Sequence, residues 1–220
     1  MARVPTLTIY YHPLSSFCMK ALMALYENDT PFTPVEIDLG DPDHRARLAA
    51  LWPPTLFPVL EDNANGMVLP ESTIIIEYLS AHHPGPFAAI PADPEAALEA
   101  RLWDRVFDSF VMLPMQTIVF NRIRPAEAKD QFGDTKARAT LDMAYKMLDA
   151  RLASRTWAAA DAFSLADCAA APALFYAEWV HPFRADWPAL GAYYDRLEAR
   201  PSFARVVEEA RPFRHFFPTG

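Results

Sequence analysis

The sequence predicts an α/β layer followed by an all-helical domain. Three features predict it. Up to about residue 84, short β-rich runs alternate with helical ones. Two proline-rich breaks, Pro84-Gly85-Pro86 and Pro91-Ala92-Asp93-Pro94, then bracket a linker. Beyond them no convincing strand remains, and apolar residues recur at helical spacing. The expected division is an α/β domain over residues 1–84, a linker over 85–94 and a helical domain over 95–220.

Leu7 to Tyr11 is β-rich and ends at Pro13, which has no N–H for a continuing strand. Ser15 and Ser16 follow, and Phe17 to Leu25 consists of good helix formers. A serine at this handover caps the helix. It also sits at the positive end of the helix dipole, beside unpaired N–H groups, where a bound thiolate would be stabilised. Taken alone, the stretch reads simply as an N-cap. Phe32 to Ile37 alternates as a strand, Asp41-Pro42 opens a helix to about Leu51, and Trp52-Pro53-Pro54 breaks it. Leu56 to Asp62 is strand-like but interrupted by Pro58, which belongs on an edge, at a bulge or in a cis bond at a tight turn. Asp62 to Gly66 is a turn, Met67 to Leu69 a hairpin partner, and Pro70-Glu71-Ser72 opens a helix running to about His82.

In the second part, Glu95 to about Arg122 reads as one long helix with an apolar stripe of Leu98, Leu102, Phe107, Val111 and Met115, kinked at Pro114. Further helices are expected over Asp134 to Leu152, Ser164 to Tyr176, Trp187 to Arg200 and Ser202 to Arg211. Phe163-Ser164-Leu165-Ala166-Asp167 has the spacing of a capping box in its Asp variant, which gives Ser164 and Asp167 structural roles.

Composition narrows the function. With 52% apolar and 13% aromatic residues the chain buries a substantial core. Its net charge of −8 argues against nucleic acid or an anionic membrane as partner. Met1 to Pro5 lacks the apolar core of a signal peptide, and the longest apolar run, Cys168 to Ala177, is too short for a bilayer span. Neither the two cysteines nor the six histidines show metal-ligand spacing, so no metal is expected. The expectation is a soluble cytoplasmic protein.

These pieces, in order, resemble the cytosolic glutathione transferase family over nearly the whole chain. The resemblance rests on Tyr11 to Lys20, Phe57-Pro58-Val59, Pro70-Glu71-Ser72, Phe163 to Asp167 and Ala199-Arg200-Pro201-Ser202. It implies a thioredoxin-like N-terminal domain that binds glutathione as co-substrate, with a cis peptide at Phe57-Pro58 and Val59 pairing through its backbone with the cysteinyl part. Glu71 and Ser72 would grip the γ-glutamyl end. Ser15 falls on the catalytic hydroxyl position, with Ser16 the alternative, and would stabilise the glutathione thiolate. Tyr10 and Tyr11 are minor candidates for the same role. The acceptor, a small hydrophobic electrophile, would sit against Leu14, Met112 and Met115, with Phe213, Phe216 and Phe217 as further candidates. A homodimer is implied, in which Asp104 could approach the partner's glutathione.

Three departures qualify the resemblance. Leu56 stands where many members carry a lysine for the glycyl carboxylate. Trp157 to Asp161 lacks the usual glycine before the acid, so its turn is expected to differ. Ser15-Ser16-Phe17-Cys18 occupies the place of a thioredoxin C-x-x-C with its first cysteine replaced, which disfavours a dithiol oxidoreductase. The Ser-Ser doublet is faintly similar to the zeta-type isomerases, from which Phe17 departs. An isomerase, reductase or dehalogenase using the same thiolate, and a non-catalytic binding protein, are the alternatives to conjugation.

Overall fold

Alternation along the strands sorts their side chains onto two faces of one small sheet. In the computed structural model, which describes residues 5–219, β1 (Leu7–Tyr11), β2 (Phe32–Glu36), β3 (Val59–Asp62) and β4 (Met67–Pro70) lie in the order β2-β1-β3-β4. Residues 1–4 and 220, the outer ends of the two expected domains, lie outside the described residues. β1 is parallel to β2 and antiparallel to β3, which is antiparallel to β4. β1, β2 and β4 therefore run the same way. The chain leaves these three strands, and enters β3, at the same end of the sheet.

One face of the sheet, with Leu7, Ile9 and Leu60, joins the main core together with α1 (Ser16–Glu27) and α3 (Ser72–His82). On the other face Tyr10 and Val59 pack with Ile37 and with Leu48 of α2 (Pro42–Leu51). This is the thioredoxin-like arrangement. Tyr78, Asn65, the Ala64 N–H and His83 all meet the buried Asp62 carboxylate, at 2.8, 2.8, 2.9 and 3.1 Å, tying the β3–β4 turn to the end of α3. Burial opposes its ionisation, but these donors outweigh burial and hold its pKa at about 2. Because the folded value lies below the unfolded one, the stabilisation is present above about pH 4 and is lost as pH falls toward 2. Asp62→Asn should therefore cost about 2 kcal/mol at pH 7 and almost nothing at pH 2. Denaturant titrations of both proteins across that range check it; a pH-independent gap would count against the ionised network.

The helical domain comprises α4 (Pro94–Phe107), α5 (Leu113–Ile123), α6 (Gln131–Leu152), α7 (Leu165–Val180), α8 (Pro188–Glu198) and α9 (Pro201–Ala210). The single long helix expected from Glu95 to Arg122 is instead divided by a π turn at Asp108–Met112. Pro114 has no N–H and its ring crowds the carbonyl four residues back, and the wider turn just before it accommodates both. The expected stripe also fails in its first half. Phe107, Val111 and Met115 are buried, whereas Leu98 and Leu102 are 62% and 55% exposed. The buried face of α4 carries Ala97, Ala100, Trp103 and Asp104 instead.

Asp104 is a second correction. It is fully buried against Lys20 of α1 (2.5 Å) and accepts from the Thr73 hydroxyl (3.0 Å), so it cannot reach into a partner subunit. The capping box forms: the Asp167 carboxylate accepts from the Ser164 N–H (2.9 Å) and hydroxyl (3.2 Å). It also accepts from the Ala158 N–H (2.9 Å) and the Tyr193 hydroxyl (2.7 Å), so it anchors the start of the central helix α7. Where the glycine was missed, Ala160 adopts a positive φ of 51°, held by an N–H bond of 2.8 Å to Glu99. The turn is left-handed at Ala160, at a cost of about 1–2 kcal/mol for a residue with a Cβ.

Candidate active site

At the sheet end where β1, β2 and β4 finish, a cavity of about 590 Å³ opens between the two domains. Its N-terminal wall is formed by His12, Leu14 to Phe17, Leu39, Trp52, Leu56 to Pro58, Glu71 and Ser72. Its helical wall is formed by Leu113, Met115, Gln116, Val119 and Phe120, with Tyr176 and Phe217.

Ser15 is the N-cap of α1. Its backbone is extended (φ −75°, ψ 120°) and its Oγ accepts from the Cys18 N–H at 3.3 Å. Accepting that bond leaves the hydroxyl proton to donate toward the cavity. The first N–H groups of α1 have no intrahelical partner, so this end favours a negative charge. Ser16 also lines the cavity but is nearly fully buried. Tyr10 and Tyr11 do not line it; Tyr10 instead donates to Glu61 at 3.0 Å. Cys18 is buried beneath the cap. Burial pushes its thiol up to about 12, against the Ser15 hydroxyl and the His12 backbone, so it stays protonated at neutral pH.

The start of α3 is the second functional corner. Glu71 has φ 70° and ψ 116°, and its side chain makes no capping bond. Glu71 therefore does not cap α3 through its side chain. A non-glycine residue held there stores about 1–3 kcal/mol, a cost met most often at functional sites. Glu71 offers a carboxylate to the cavity, and Ser72 a hydroxyl and the N–H of a helix start. The Phe57-Pro58 peptide is cis.

The side chain of Val59 packs in the smaller core, so only its backbone is left for the expected pairing, and Phe57 and Pro58 before it line the cavity. Other expected residues divide between cavity and core. Met112 is fully buried in the core, because the π turn rotates it away from the cavity; Met115, one turn on, lines it. Leu14 and Phe217 line the cavity, whereas Phe213 packs edge-on against His12 at 5.2 Å and Phe216 is 65% exposed.

The sequence reading missed His12, Tyr176 and most of the α5 wall. His12 accepts the Leu14 N–H on Nδ1 at 3.2 Å, and burial lowers its pKa against the charges of Glu36 and Asp38. At neutral pH the ring is therefore neutral, with its proton on Nε2. Tyr176 of α7 donates to the Leu14 carbonyl at 2.8 Å and stacks on Phe217 at 5.6 Å, tying the Ser15 loop to the helical domain. Leu113, Gln116 and Phe120 follow one helical face, a signal that was available in their spacing. Among the described residues, no cluster of three metal-ligating side chains occurs, and no helix is long and apolar enough to cross a membrane.

Fold and cleft together define a class: a thioredoxin-like domain and a helical domain sharing a cavity with two helix starts on one wall and mainly apolar side chains on the other. Residues 9–87 match the family model for the glutathione S-transferase N-terminal domain, and residues 111–201 match that for the C-terminal domain. The chain belongs to the glutathione S-transferase family. It is 27% identical over 206 residues to the glutathione S-transferase GstB of Escherichia coli, covering 91% of this chain and 97% of that protein. It is 32% identical over 164 residues to the glutathione S-transferase-like protein LUC7 of Fusarium sp, covering 73% and 72%. The crystal structure of a glutathione S-transferase from Methylobacillus flagellatus, with glutathione bound, superposes with a TM-score of 0.83 at 26% identity, covering 91% of this chain and 98% of that one.

Proposed function

We propose that the protein is a cytoplasmic glutathione transferase that adds the glutathione thiolate to small apolar electrophiles. The observation that carries this reading is the convergence of two helix starts, Ser15 of α1 and Glu71-Ser72 of α3, on one cavity whose opposite wall is apolar. Ser72 and its N–H take the γ-glutamyl carboxylate, Glu71 the ammonium, and the Ser15 hydroxyl the sulfur. A donor aimed at a thiolate stabilises the charged form, and so keeps the nucleophile ionised near neutral pH. Leu113, Met115, Val119 and Phe120 then offer the electrophile an apolar surface beside the sulfur.

A homodimer through the α3–α4 face accompanies this reading. Arg101 and Glu77 join the two helices through a two-fold ion pair at 2.7 and 2.9 Å. Ile74 lies one turn from Glu77 and Leu98 one turn from Arg101, and both are at least half exposed. Such flanking apolar residues suit burial against a second copy.

Calorimetric titration tests the site. The parent should bind glutathione at millimolar concentration or tighter, and Glu71→Ala should weaken binding about tenfold or more, as expected for one charge-assisted contact. Binding unchanged in Glu71→Ala would remove that residue from the site. No binding by the parent would overturn the transferase reading in favour of a non-catalytic one.

A further inference from the structure

The cavity is charged at one end only. Sheet order places Glu71, after β4, at one edge, Ser15, after β1, in the middle, and Leu39, after β2, at the opposite edge. The wall around that far edge is Leu39, Trp52 and Leu56, and Leu56 is 59% exposed. Glu71 is the carboxylate of the lining, and among the described residues no lysine or arginine lines the cavity. Neither arginine of α2 lines the cavity: the Arg47 guanidinium lies over the Tyr10 ring at 5.0 Å, and Arg45 is exposed outside the lining. Of the remaining titratable groups of the lining, His12 is neutral at pH 7 for the reasons given above, and burial raises the Tyr176 phenol, which keeps its proton.

A thiol tripeptide laid from Glu71 past Ser15 brings its third residue onto Leu39, Trp52 and Leu56. Beside the exposed Leu56 a carboxylate keeps part of its water but gains no counter-charge, so a neutral end gives up no contact by comparison. Resting on the glutathione reading above, we infer that the site recognises the γ-glutamyl and cysteinyl parts of its thiol and does not read a carboxylate on the third residue. Its ligand class is γ-glutamylcysteinyl thiols with an uncharged C-terminal end, such as glycyl esters and amides of glutathione, bound at least as tightly as glutathione itself.

Titrations with glutathione and with its glycyl monoethyl ester, on the parent and on Leu56→Lys, test this. Leu56 is largely exposed, so the substitution does not disturb the core. The parent should bind the ester as tightly as glutathione, within about threefold or better. Leu56→Lys should tighten glutathione about tenfold, the worth of one charge-assisted contact, and leave the ester unchanged. Glutathione binding the parent tenfold more tightly than the ester would overturn the inference and leave the glutathione site standing. A Leu56→Lys protein with unaltered preference would overturn it too, by removing the third residue from that wall. Neither thiol binding the parent would overturn both readings at once.

Discussion

Ser15→Ala should lower turnover about 10²-fold while glutathione affinity stays within a few-fold. One preorganised donor aimed at a reacting anion is worth roughly 2.7–4 kcal/mol when removed, and the lower end of that range is 10² in rate. Because the hydroxyl acts on sulfur only once it is charged, its loss falls on the ionised thiol and spares the γ-glutamyl contacts at Glu71 and Ser72. The ultraviolet absorbance of the bound thiolate, followed against pH, should therefore titrate about two units higher in Ser15→Ala, back toward the free thiol value of roughly 8.5. Ser15 also caps α1 through the Cys18 N–H, so the variant loses about 1 kcal/mol of stability as well. Ser15→Thr is the control, since it keeps a hydroxyl for both roles and should retain both turnover and cap. Full turnover in Ser15→Ala together with its loss in Ser16→Ala would transfer the role to the neighbouring serine. Retention in both would remove hydroxyl activation altogether.

The parts of the site that the sequence showed are those marked by backbone punctuation. Ser15 follows a strand ended by Pro13, Pro58 interrupts a strand, and Glu71-Ser72 follow Pro70; in each case a residue type was tied to a backbone position. The capping box was legible for the same reason. What stayed hidden depended on which way a helix turned. Met112 and Met115 sit three apart and were both assigned to the cavity, yet the π turn before Pro114 shifts the helical phase and sends one into the core. On α4 the inference from apolar to inward put Leu98 and Leu102 inside, while Asp104 took the buried position. A buried charge has no local sequence signal, because its partner is set by tertiary packing. Asp108 finds Lys20 across 88 residues. His12 and Tyr176 were missed similarly, since a strand end and a helix interior give no sign of a cavity beside them.

That ion cluster supports the largest stability effect expected here. Lys20→Met should destabilise the protein by about 3–5 kcal/mol at pH 7, the usual consequence of removing one partner from a buried charge network. The Lys20 ammonium is fully buried; it donates to Asp108 Oδ2 (2.8 Å) and to the Thr73 hydroxyl (2.8 Å), and forms an ion pair with Asp104 Oδ1 (2.5 Å). It thereby joins α1 and α3 of the first domain to α4 and the π turn of the second. Without it, two carboxylates remain in a site with almost no water; Arg105 (3.2 Å) stays on Asp108, Asp104 keeps no cation, and one oxygen of each carboxylate already lacks a hydrogen-bond donor. Burial, with the charge of Asp108 adding to it, already pushes the Asp104 carboxyl above the ordinary range against the pull of Lys20. Removing that pull raises it further. The variant's folded carboxyl then binds its proton more tightly than the unfolded one, so its deficit is small below about pH 4, grows as pH rises from there toward the folded value, and is constant above it. Parent and variant should thus diverge with increasing pH in denaturant titrations. Adding Asp104→Asn to Lys20→Met, which removes one uncompensated charge and keeps an acceptor for Thr73, should recover about half of the loss. Thr73 directly follows Glu71-Ser72, so the same variant should weaken glutathione binding through a loosened α3 start, and Asp104→Asn should restore that too. A deficit below about 1 kcal/mol at every pH would mean that the cluster is not ionised in the parent and that apolar packing alone joins the domains.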